Sequence, residues 1–428
     1  MRTVRFGSRA WQRYLASRSA AGDRRDLDRA VARIVEAVRR EGDRALVRLT
    51  ARYDRVRLAP SQIRVPSAEV RGLAGRAEPA VATAIAAMAR RIEAFHRRQG
   101  EDGFRLRLPG GSTLEERTGP IDSVGLYVPG GAGAYPSSVL MNAIPARVAG
   151  VPRIVVVTPP RALESNPAVA AALVVAGVDE AVFRVGGAQA IAALAYGTRT
   201  VPAVAKIVGP GNAWVAAAKR LVRGAVEIDR EAGPSEVVVL ADETADPEWV
   251  AADLLAQAEH GSGDERVALV TPSAALAERV RALVDRGSGS VANPAAARRA
   301  LGRHGAIVLV RDLEQGIEAV NALAPEHAEV MARGALRLSR RIVAGAVFVG
   351  PWSPVAVGDY GIGPNHVLPT GGEARHGSPL SVRDFQRRWS RVRLTRAALG
   401  RVGPGMVAVA RAEGFIGHAE SVRLRLAG

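Results

Sequence analysis

The chain is 428 residues long, carries a formal net charge of +17 and contains no cysteine. This length is enough for two or more domains that each bury a core, and a small disulfide-stabilised scaffold is excluded. Without cysteine there is no thiolate nucleophile and no cysteine-ligated cluster, so a metal ion would need histidine, carboxylate or amide ligands. The N-terminus lacks the apolar core of a signal peptide, and no apolar run approaches the ~18 residues of a spanning helix, so we expect a cytoplasmic protein.

The positive charge does not by itself indicate a nucleic-acid-binding protein. Lysine occurs only at Lys206 and Lys219, and the large excess of arginine, with abundant alanine and glycine, is typical of a GC-rich genome. Aromatic residues make up 4% of the chain and do not alternate with arginine as a stacking surface for single strands requires. We therefore expect no nucleic-acid partner. The densest basic cluster alternates with apolar residues and predicts a half-buried strand; it comprises Arg387, Arg388, Arg391, Arg393 and Arg396.

Hydrophobic periodicity predicts an α/β fold. Apolar residues recur at helical spacing over 27–38, and a second helix is predicted over 77–98 after a connector at 50–64. From residue 122 onward, short apolar strands alternate with helices in two successive series, which indicates mostly parallel sheets in two halves with a cleft between them. The predicted strands are SVGLYV, IVVVTPP, AVFRVG, AKIVG, EVVVLAD, RVALVT, AIVLV and AVFVG.

Two polar residues, Gln257 and His260, lie near the end of a predicted helix in the middle of the chain. This helix is expected to begin at Asp246-Pro247 and to stop at Gly261. Gln257 and His260 are three residues apart on its last turn, so both project from one face and can offer two ligands to one ion. A histidine that only interacts with the carbonyl dipole of the helix end is the alternative.

A second pair, Glu326 and His327, follows a proline in NALAPEHAEV. On a predicted helical turn, adjacent side chains diverge by about 100°, so these two would address different atoms of a substrate as carboxylate and imidazole bases. An ordinary polar surface turn is the alternative.

Further polar residues lie in the last third of the chain. The loop VGDYGIGPNHVLPTGG combines Asp359 with Asn365 and His366 among glycines and prolines that permit tight turns. Asp359 is either a hard oxygen ligand or only a turn former, and Glu413 and His418 share a short segment that a surface helix would also explain. Three remaining histidines show no partner pattern and are expected to be solvated, namely His96, His304 and His376.

Glycine-rich turns suggest a nucleotide site. Tyr127, Gln189 and Asn212 each lie at a predicted strand-to-helix turn. The carboxyl ends of parallel strands meet at one edge of a sheet, where helix N-termini favour phosphate. None of the glycine-rich loops fits G-x-G-x-x-G between a strand and a helix, so an ordinary Rossmann fingerprint is missing.

Taken together, these segments resemble the histidinol dehydrogenase family, from roughly residue 24 to the C-terminus. The motifs that carry the resemblance are GLYVPGGAGAYPSSVLMNAIPARVAGV, GGAQAIAALAYGT, KIVGPGN, AGPSEV, ADLLAQAEH, APEH, GDYGIGPNHVLPT, SPLSV-x-DF and EG-x(3)-H. The resemblance implies oxidation of L-histidinol to L-histidine through a bound aldehyde in two NAD-dependent steps. It also implies one zinc ion per subunit, a homodimer with shared sites, and incomplete Rossmann-like domains.

The resemblance also implies roles for individual residues. Glu326 and His327 would be the catalytic proton acceptors. The zinc ligands would be Gln257, His260, Asp359 and His418, the last donated by the partner subunit. NAD would contact Tyr127, Gln189 and Asn212. The substrate would contact Ser235, Gln257, His260, His327, Asp359, Glu413 and His418.

The resemblance further implies a domain division. It comprises an N-terminal helical segment (1–22), a discontinuous α/β domain with the zinc ligands and bases (23–125 and 237–372), an NAD-binding α/β domain (126–236) and a dimer-crossing tail (373–428). The sequence departs from the family pattern at Arg230, Glu231, Ala328, Val355 and His376-Gly377. A zinc- and NAD-dependent dehydrogenase of another small polyol, such as a sulfonated diol, is the main alternative, and an Arg-rich nucleic-acid-binding protein a remote one.

Overall fold

The computed structural model describes residues 1–19, 25–100, 102–130, 135–230 and 233–427. Glu231, residues 131–134 of the first glycine-rich loop and the predicted boundary at residue 22 lie outside these ranges. The elements of the first half are β1 (Arg2–Arg5), α1 (Arg9–Ser19), α2 (Arg25–Glu41), α3 (Asp43–Tyr53), β2 (Arg64–Val65), α4 (Ser67–Ala74), α5 (Pro79–His96), β3 (Arg105–Leu108), β4 (Ser112–Pro120), β5 (Val124–Tyr127), α6 (Pro136–Val148), β6 (Ile154–Thr158), α7 (Ala162–Ser165), α8 (Pro167–Ala176), β7 (Val182–Arg184), α9 (Gly187–Tyr196), β8 (Lys206–Val208), α10 (Ala213–Val222) and β9 (Glu227–Ile228).

The second half continues the alternation and ends in two helices. Its elements are β10 (Glu236–Ala241), α11 (Pro247–Ala258), β11 (Arg266–Thr271), α12 (Ala274–Gly287), α13 (Pro294–Arg303), β12 (Ala306–Leu309), α14 (Leu313–Leu323), β13 (His327–Met331), α15 (Ala335–Ser339), β14 (Ala346–Val349), α16 (Ala356–Asp359), β15 (Gln386–Arg393), α17 (Arg396–Ala412) and α18 (Ile416–Ala427). No helix in the described ranges is long and apolar enough to cross a membrane.

One six-stranded sheet is called the catalytic sheet below because it carries Glu326 and His327, the predicted bases. It is parallel throughout and has the order β1-β12-β11-β10-β13-β14. Its central strand β10 reads EVVVLA and is buried along its whole length, as expected for a strand covered on both faces. Helices α11, α12 and α13 pack on one face, and α1 and α14 pack on the other. The two faces each bury a separate apolar cluster.

A second six-stranded sheet is called the nucleotide sheet below because the predicted NAD contacts Tyr127, Gln189 and Asn212 lie in or after its strands. It has the order β2-β7-β6-β5-β8-β9. It is parallel except for β2, which pairs antiparallel with β7. Helices α2, α3, α9 and α10 cover one face, and α4, α5, α6 and α8 cover the other. The expected α/β fold with mostly parallel sheets is confirmed.

The third sheet is small and antiparallel, with the order β15-β4-β3. The predicted Arg-rich strand exists as β15, but its residues are almost all exposed, so the expectation of a half-buried strand is wrong for the single chain. Helices α17 and α18 pack mainly on each other and leave Met406, Phe415 and Ile416 on the surface. The end of the chain therefore contributes little to either core.

Two parts of the predicted domain grouping differ from this packing. The segment 1–22 is not a separate helical unit, because β1 adds a strand to the catalytic sheet and Trp11 and Tyr14 of α1 are buried on its face. Most of 25–96 packs on the nucleotide sheet rather than with 237–372, because the apolar faces of α2, α3, α4 and α5 enter the two clusters of that sheet. The amphipathic pattern of these helices does not say which sheet they cover.

Candidate active site

Glu326 and His327 lie at the amino end of β13, in the interior of the catalytic sheet. The helical turn expected here is wrong: α14 ends at Leu323, Ala324 takes a left-handed backbone conformation (φ 42°), and the chain enters the strand at His327. A left-handed alanine is a strained conformation of the kind that clusters at functional sites. The turn places both side chains beside Glu236, the first residue of the neighbouring strand β10.

The main chain of Glu236 holds both side chains. Its N–H donates to Oε2 of Glu326 over 2.8 Å, and its carbonyl oxygen lies 2.9 Å from Nδ1 of His327. A carbonyl only accepts, so Nδ1 carries the proton and Nε2 of the neutral ring is the free basic nitrogen. The backbone of one residue therefore fixes the orientation of two candidate bases.

Burial shifts the pKa values of these two groups in opposite directions. Desolvation raises the pKa of Glu326 well above its ordinary value, helped by the carboxylates of Glu236 and Asp359 and opposed by the N–H of Glu236. Desolvation lowers the pKa of His327, against the attraction of Asp359. Two titratable groups with such divergent environments are typical of acid–base chemistry.

Gln257 lies in the last turn of α11, as predicted, whereas His260 lies in the turn just beyond the end of the helix at Ala258. Asp246 caps the start of the helix by accepting the N–H of Glu248 over 2.8 Å, and the chain leaves its end through Gly261 at φ +106°. The amide nitrogen Nε2 of Gln257 is buried without a hydrogen-bond partner. Nδ1 of His260 lies 3.2 Å from the carbonyl oxygens of Ala256 and Gln257, which leaves Nε2 as the lone-pair nitrogen.

Asp359 at the end of α16 faces the same group of side chains. Its Oδ1 lies 3.4 Å from Nδ1 of His366. Burial alone would raise the pKa of Asp359, but the hydrogen bond and charge interaction with His366, helped by the nearby rings of His327 and His260, outweigh it and hold the pKa below the ordinary value. The structure thus gathers His260, His327, Asp359 and Glu326 in one electrostatic neighbourhood, and Ser235 lies next to Glu236 at its border.

Glu413 and His418 lie apart from this group. Glu413 is exposed at the end of α17, and His418 is exposed in α18. Within the described ranges, no group of three or more His, Cys, Asp or Glu side chains is close enough together to hold a metal ion. A single chain therefore does not assemble the complete ligand set implied by the resemblance.

Tyr127, Gln189 and Asn212 line one cleft of about 550 Å³ at the carboxyl edge of the nucleotide sheet. The hydroxyl of Tyr127 accepts the N–H of Gly187 over 3.1 Å, and Nε2 of Gln189 lies 3.4 Å from Oδ2 of Asp54. Asn212 caps α10 by accepting the N–H groups of Trp214 and Val215. The three turns expected at one sheet edge do converge there.

Gly209 lets two of these turns approach each other. Its φ is +113°, and a Cβ at this position would lie 2.2 Å from the carbonyl oxygen of Tyr127. Any other residue would push the turn that leads to Asn212 away from the end of β5.

Comparison with known proteins decides the family. A family profile described as histidinol dehydrogenase matches residues 17–426. The chain is 48% identical to histidinol dehydrogenase of Cereibacter sphaeroides over 405 residues, which cover 94% of this chain and 93% of that one. It is 46% identical to histidinol dehydrogenase of Aquifex aeolicus over 415 residues, covering 96% and 95%. The crystal structure of histidinol dehydrogenase from Elizabethkingia anophelis superposes with a TM-score of 0.92 at 34% identity, covering 100% and 98%.

This chain belongs to the histidinol dehydrogenase family. It is accordingly an oxidoreductase of histidine biosynthesis that acts on a small molecule. The match covers nearly the full length of these relatives, so the family membership extends to the catalytic sheet, the nucleotide sheet and the tail alike.

Sequence reasoning missed several residues of this histidinol dehydrogenase fold. Asp54 lines the cleft, but an aspartate in a predicted connector gives no signal. His96 is not solvated as expected: it is fully buried, with Nδ1 2.8 Å from the carbonyl of Ile92 and Nε2 3.3 Å from Nδ2 of Asn365. Asn365 in turn donates to the carbonyl of Met141 and so ties the loop after Asp359 to α6.

Proposed function

We propose that this protein oxidises L-histidinol to L-histidine through L-histidinal, with two successive hydride transfers to NAD. The observation that carries the proposal is the geometry of the Glu326–His327 pair. The backbone of Glu236 orients both side chains, and burial raises the pKa of Glu326 while it lowers the pKa of His327. A four-electron oxidation needs a base for the alcohol proton and a base for the attacking water, and the pair supplies both.

The side chains around Asp359 fit a zinc ion. The free Nε2 of His260 and the carboxylate of Asp359, whose low pKa keeps it ionised, suit a borderline cation. The buried amide of Gln257 has an unpartnered nitrogen, which is expected where its oxygen serves a ligand outside the chain. Zinc at Gln257, His260, Asp359 and His418 of a second copy would supply a Lewis-acidic anchor for the imidazole and amine nitrogens of histidinol.

The cleft at Tyr127, Gln189 and Asn212 fits NAD. It lies at the carboxyl edge of a mostly parallel sheet and opens beside the N-termini of α9 and α10. Exposed Tyr53 and Trp214 at its rim offer aromatic surface to a base. NAD bound there would accept the hydride in each step.

In the first step, Nε2 of His327 accepts the proton of the histidinol hydroxyl while the carbinol carbon loses a hydride, which gives the aldehyde. The hydrogen bond from Nδ1 to Glu236 holds the ring in the tautomer that this step needs, and the lowered pKa keeps it unprotonated near neutral pH. Binding at Ser235, Gln257, His260, Asp359, Glu413 and His418 would fix the carbon against the nicotinamide.

In the second step, Glu326 accepts a proton from water as the water oxygen attacks the aldehyde carbon. His327 first releases the alcohol proton to solvent. The hydrate anion would then give the second hydride to NAD and a proton to His327, which yields the carboxylate. The chain has no cysteine, so a thiohemiacetal cannot form and the hydrate is the intermediate that remains. The raised pKa of Glu326 makes its carboxylate a stronger base than an exposed glutamate.

The charge of Glu413 favours an amine-bearing substrate over a sulfonated diol. Glu413 would place a carboxylate at the substrate, and this charge attracts an ammonium group and repels a sulfonate. The presence of Glu413 therefore favours histidinol within the zinc- and NAD-dependent dehydrogenases.

We further propose a homodimer in which α17 and α18 cross to the partner. Their surface carries apolar side chains that a lone soluble chain would rarely expose in such number; these are Val402, Met406, Val409, Phe415, Ile416 and Leu424. Crossing would bury this surface and bring Glu413 and His418 to the site of the other copy.

The test is turnover of purified zinc-loaded protein with NAD and a panel of small alcohols. Histidinol is expected to give two NADH per molecule and histidine as the product, with sulfonated diols and simple polyols inactive. Rapid oxidation of another alcohol with no reaction of histidinol would contradict the substrate. Full activity after complete removal of metal by a chelator would contradict the zinc assignment.

A further inference from the structure

A cluster of buried charges lies directly behind the Glu326–His327 pair. Glu236 is fully buried at the start of β10. Its Oε1 accepts a hydrogen bond from Nη1 of Arg266 over 3.2 Å. The same oxygen lies 3.0 Å from Nη2 of Arg18, an ion pair without hydrogen-bond geometry. The side chains of the two arginines are only 8% and 12% exposed, so three charged groups have been removed from water together.

This cluster is connected to both catalytic side chains through Glu236. Oε1 contacts the two guanidinium groups, while Oε2 accepts the backbone N–H of Glu326 over 3.4 Å. The N–H and carbonyl of the same residue hold the Glu326 carboxylate and the His327 ring. The side chain of Glu236 therefore contacts the backbone that carries Glu326, while its main chain contacts both candidate bases.

One of the two arginines comes from the far N-terminus. Arg18 lies near the end of α1, and Trp11 and Tyr14 anchor this helix in the apolar cluster on the catalytic sheet. Arg266 opens β11 and is opposite Glu236 in the parallel register. The strand register alone already gives the Glu236 carboxylate one counter-charge, Arg266. Arg18 adds a second counter-charge from a separate helix and so fixes the carboxylate on another side.

We infer that Glu236, held between Arg18 and Arg266, is a positioning residue for Glu326 and His327, and that helix α1 is thereby part of the catalytic apparatus. Buried ion clusters add little stability compared with apolar residues of the same volume. Their distinctive property here is a fixed geometry, because Arg266 donates a hydrogen bond to the carboxylate and the buried helix α1 holds the Arg18 guanidinium beside it. The site needs such geometry, since small displacements of a catalytic group cost large factors in rate.

The inference rests on the proposed roles of Glu326 and His327, and the test compares Arg18→Met with Arg13→Met. Arg13 lies on the same helix but is exposed, so its variant is a matched control for loss of charge and helix propensity. For Arg18→Met we expect kcat for both histidinol and histidinal to fall about tenfold or more, with both KM values within about twofold of the wild type. Arg18→Lys places one cation at the same carboxylate and is expected to restore at least half of the lost kcat on a logarithmic scale.

Rates are normalised to folded, zinc-containing protein, with zinc content and thermal unfolding measured in parallel. Equal kcat for Arg18→Met and Arg13→Met would overturn the inference, as would a raised KM at constant kcat or no recovery with Arg18→Lys. If Arg18→Met does not fold, Glu236→Asp takes its place. Its shorter carboxylate cannot reach both the arginines and the N–H of Glu326, so the same loss of kcat at constant KM is expected. Failure of the wild type and Arg13→Met to oxidise histidinol would instead refute the proposed function.

Discussion

Lys219 and Asp229 form a buried ion pair that encloses the backbone of Gly209, three residues before Asn212 in the turn after β8. Nζ of Lys219 donates to the Gly209 carbonyl over 3.0 Å, and Oδ2 of Asp229 accepts the Gly209 N–H over 2.8 Å. The two side chains are 3% and 2% exposed. The pair thus fixes the same glycine whose missing Cβ allows contact with Tyr127.

Lys219→Met is expected to lower the free energy of unfolding by about 3–5 kcal/mol, because it leaves the Asp229 carboxylate buried without its counter-charge. Urea unfolding followed by circular dichroism measures this loss, and fluorescence titration measures the expected weaker NAD binding. The double variant Lys219→Met/Asp229→Leu removes both charges and should recover part of the stability. A single variant as stable as the wild type would show that the pair is dispensable.

The two catalytic side chains are expected to separate the two oxidations. His327→Asn should slow NADH formation from histidinol far more than from histidinal, because the proton released in the second oxidation belongs to a carboxylic acid, which ionises without a base, whereas an alcohol does not. Glu326→Gln should slow histidinal oxidation by ~100-fold or more while sparing the first hydride transfer, since water activation contributes on that scale. Stopped-flow measurement of each half-reaction distinguishes the roles. Equal losses in both half-reactions for Glu326→Gln would contradict them.

Glu329 should make stability depend on pH. Burial, with the neighbouring carboxylate of Asp253, raises its pKa to about 9, whereas an unfolded glutamate titrates near 4.5. The folded state therefore binds the extra proton. Its stabilising effect is complete below about pH 4.5 and is lost as the pH rises toward about 9.

Glu329→Gln mimics the protonated acid, so the variant should lose less stability than the wild type between pH 5 and pH 9. Urea unfolding of the chelator-treated protein at a series of pH values checks this. Glu318→Gln, an exposed change on α14, is the control and should follow the wild type. Parallel curves for Glu329→Gln and the wild type would disprove a proton held by this pair.

A shared site predicts rescue between two inactive variants. Gln257→Ala and His418→Ala each remove one proposed zinc ligand, and homodimers of either should be inactive. If His418 crosses to the partner, a mixed dimer carries one intact site, and about a quarter of the wild-type activity should return after equal mixing and subunit exchange. Assay after co-expression with two different tags measures it. Absence of activity in purified mixed dimers would place both ligands in one chain.

The sequence predicted the fold class and the α11 pair well, because both depend on local patterns. Alternating apolar strands and helices define parallel sheets, and a capped helix with a glycine stop places Gln257 and His260 on one turn. The nucleotide turns were also predicted, since carboxyl ends of parallel strands meet wherever the strands adjoin.

Long-range contacts were not predictable in the same way. Glu326 and His327 lie at the amino ends of the strands, the edge opposite to that where ligands of open sheets are expected, so no topological rule points to them. The role of Glu236 depends on strand register with β13 and β11 and on a helix more than 200 residues earlier in the chain. The burial of His96 could not be predicted either, because its partner Asn365 is distant in the sequence and no local pattern links the two.

The pairing of β1 with β12 has a consequence for the order of folding during synthesis. Arg2 leaves the ribosome long before its partner in the sheet, Ala306, and the strands of the nucleotide sheet are complete by Ile228. The nucleotide sheet and its helices can therefore fold early. β1 cannot pair, and α1 cannot pack on the catalytic sheet, until about two thirds of the chain has been synthesised. Closure of the catalytic sheet, which brings Arg18 to Glu236, comes later in synthesis, so the cleft beside Tyr127 and Asn212 can form before Glu326 and His327 are in place.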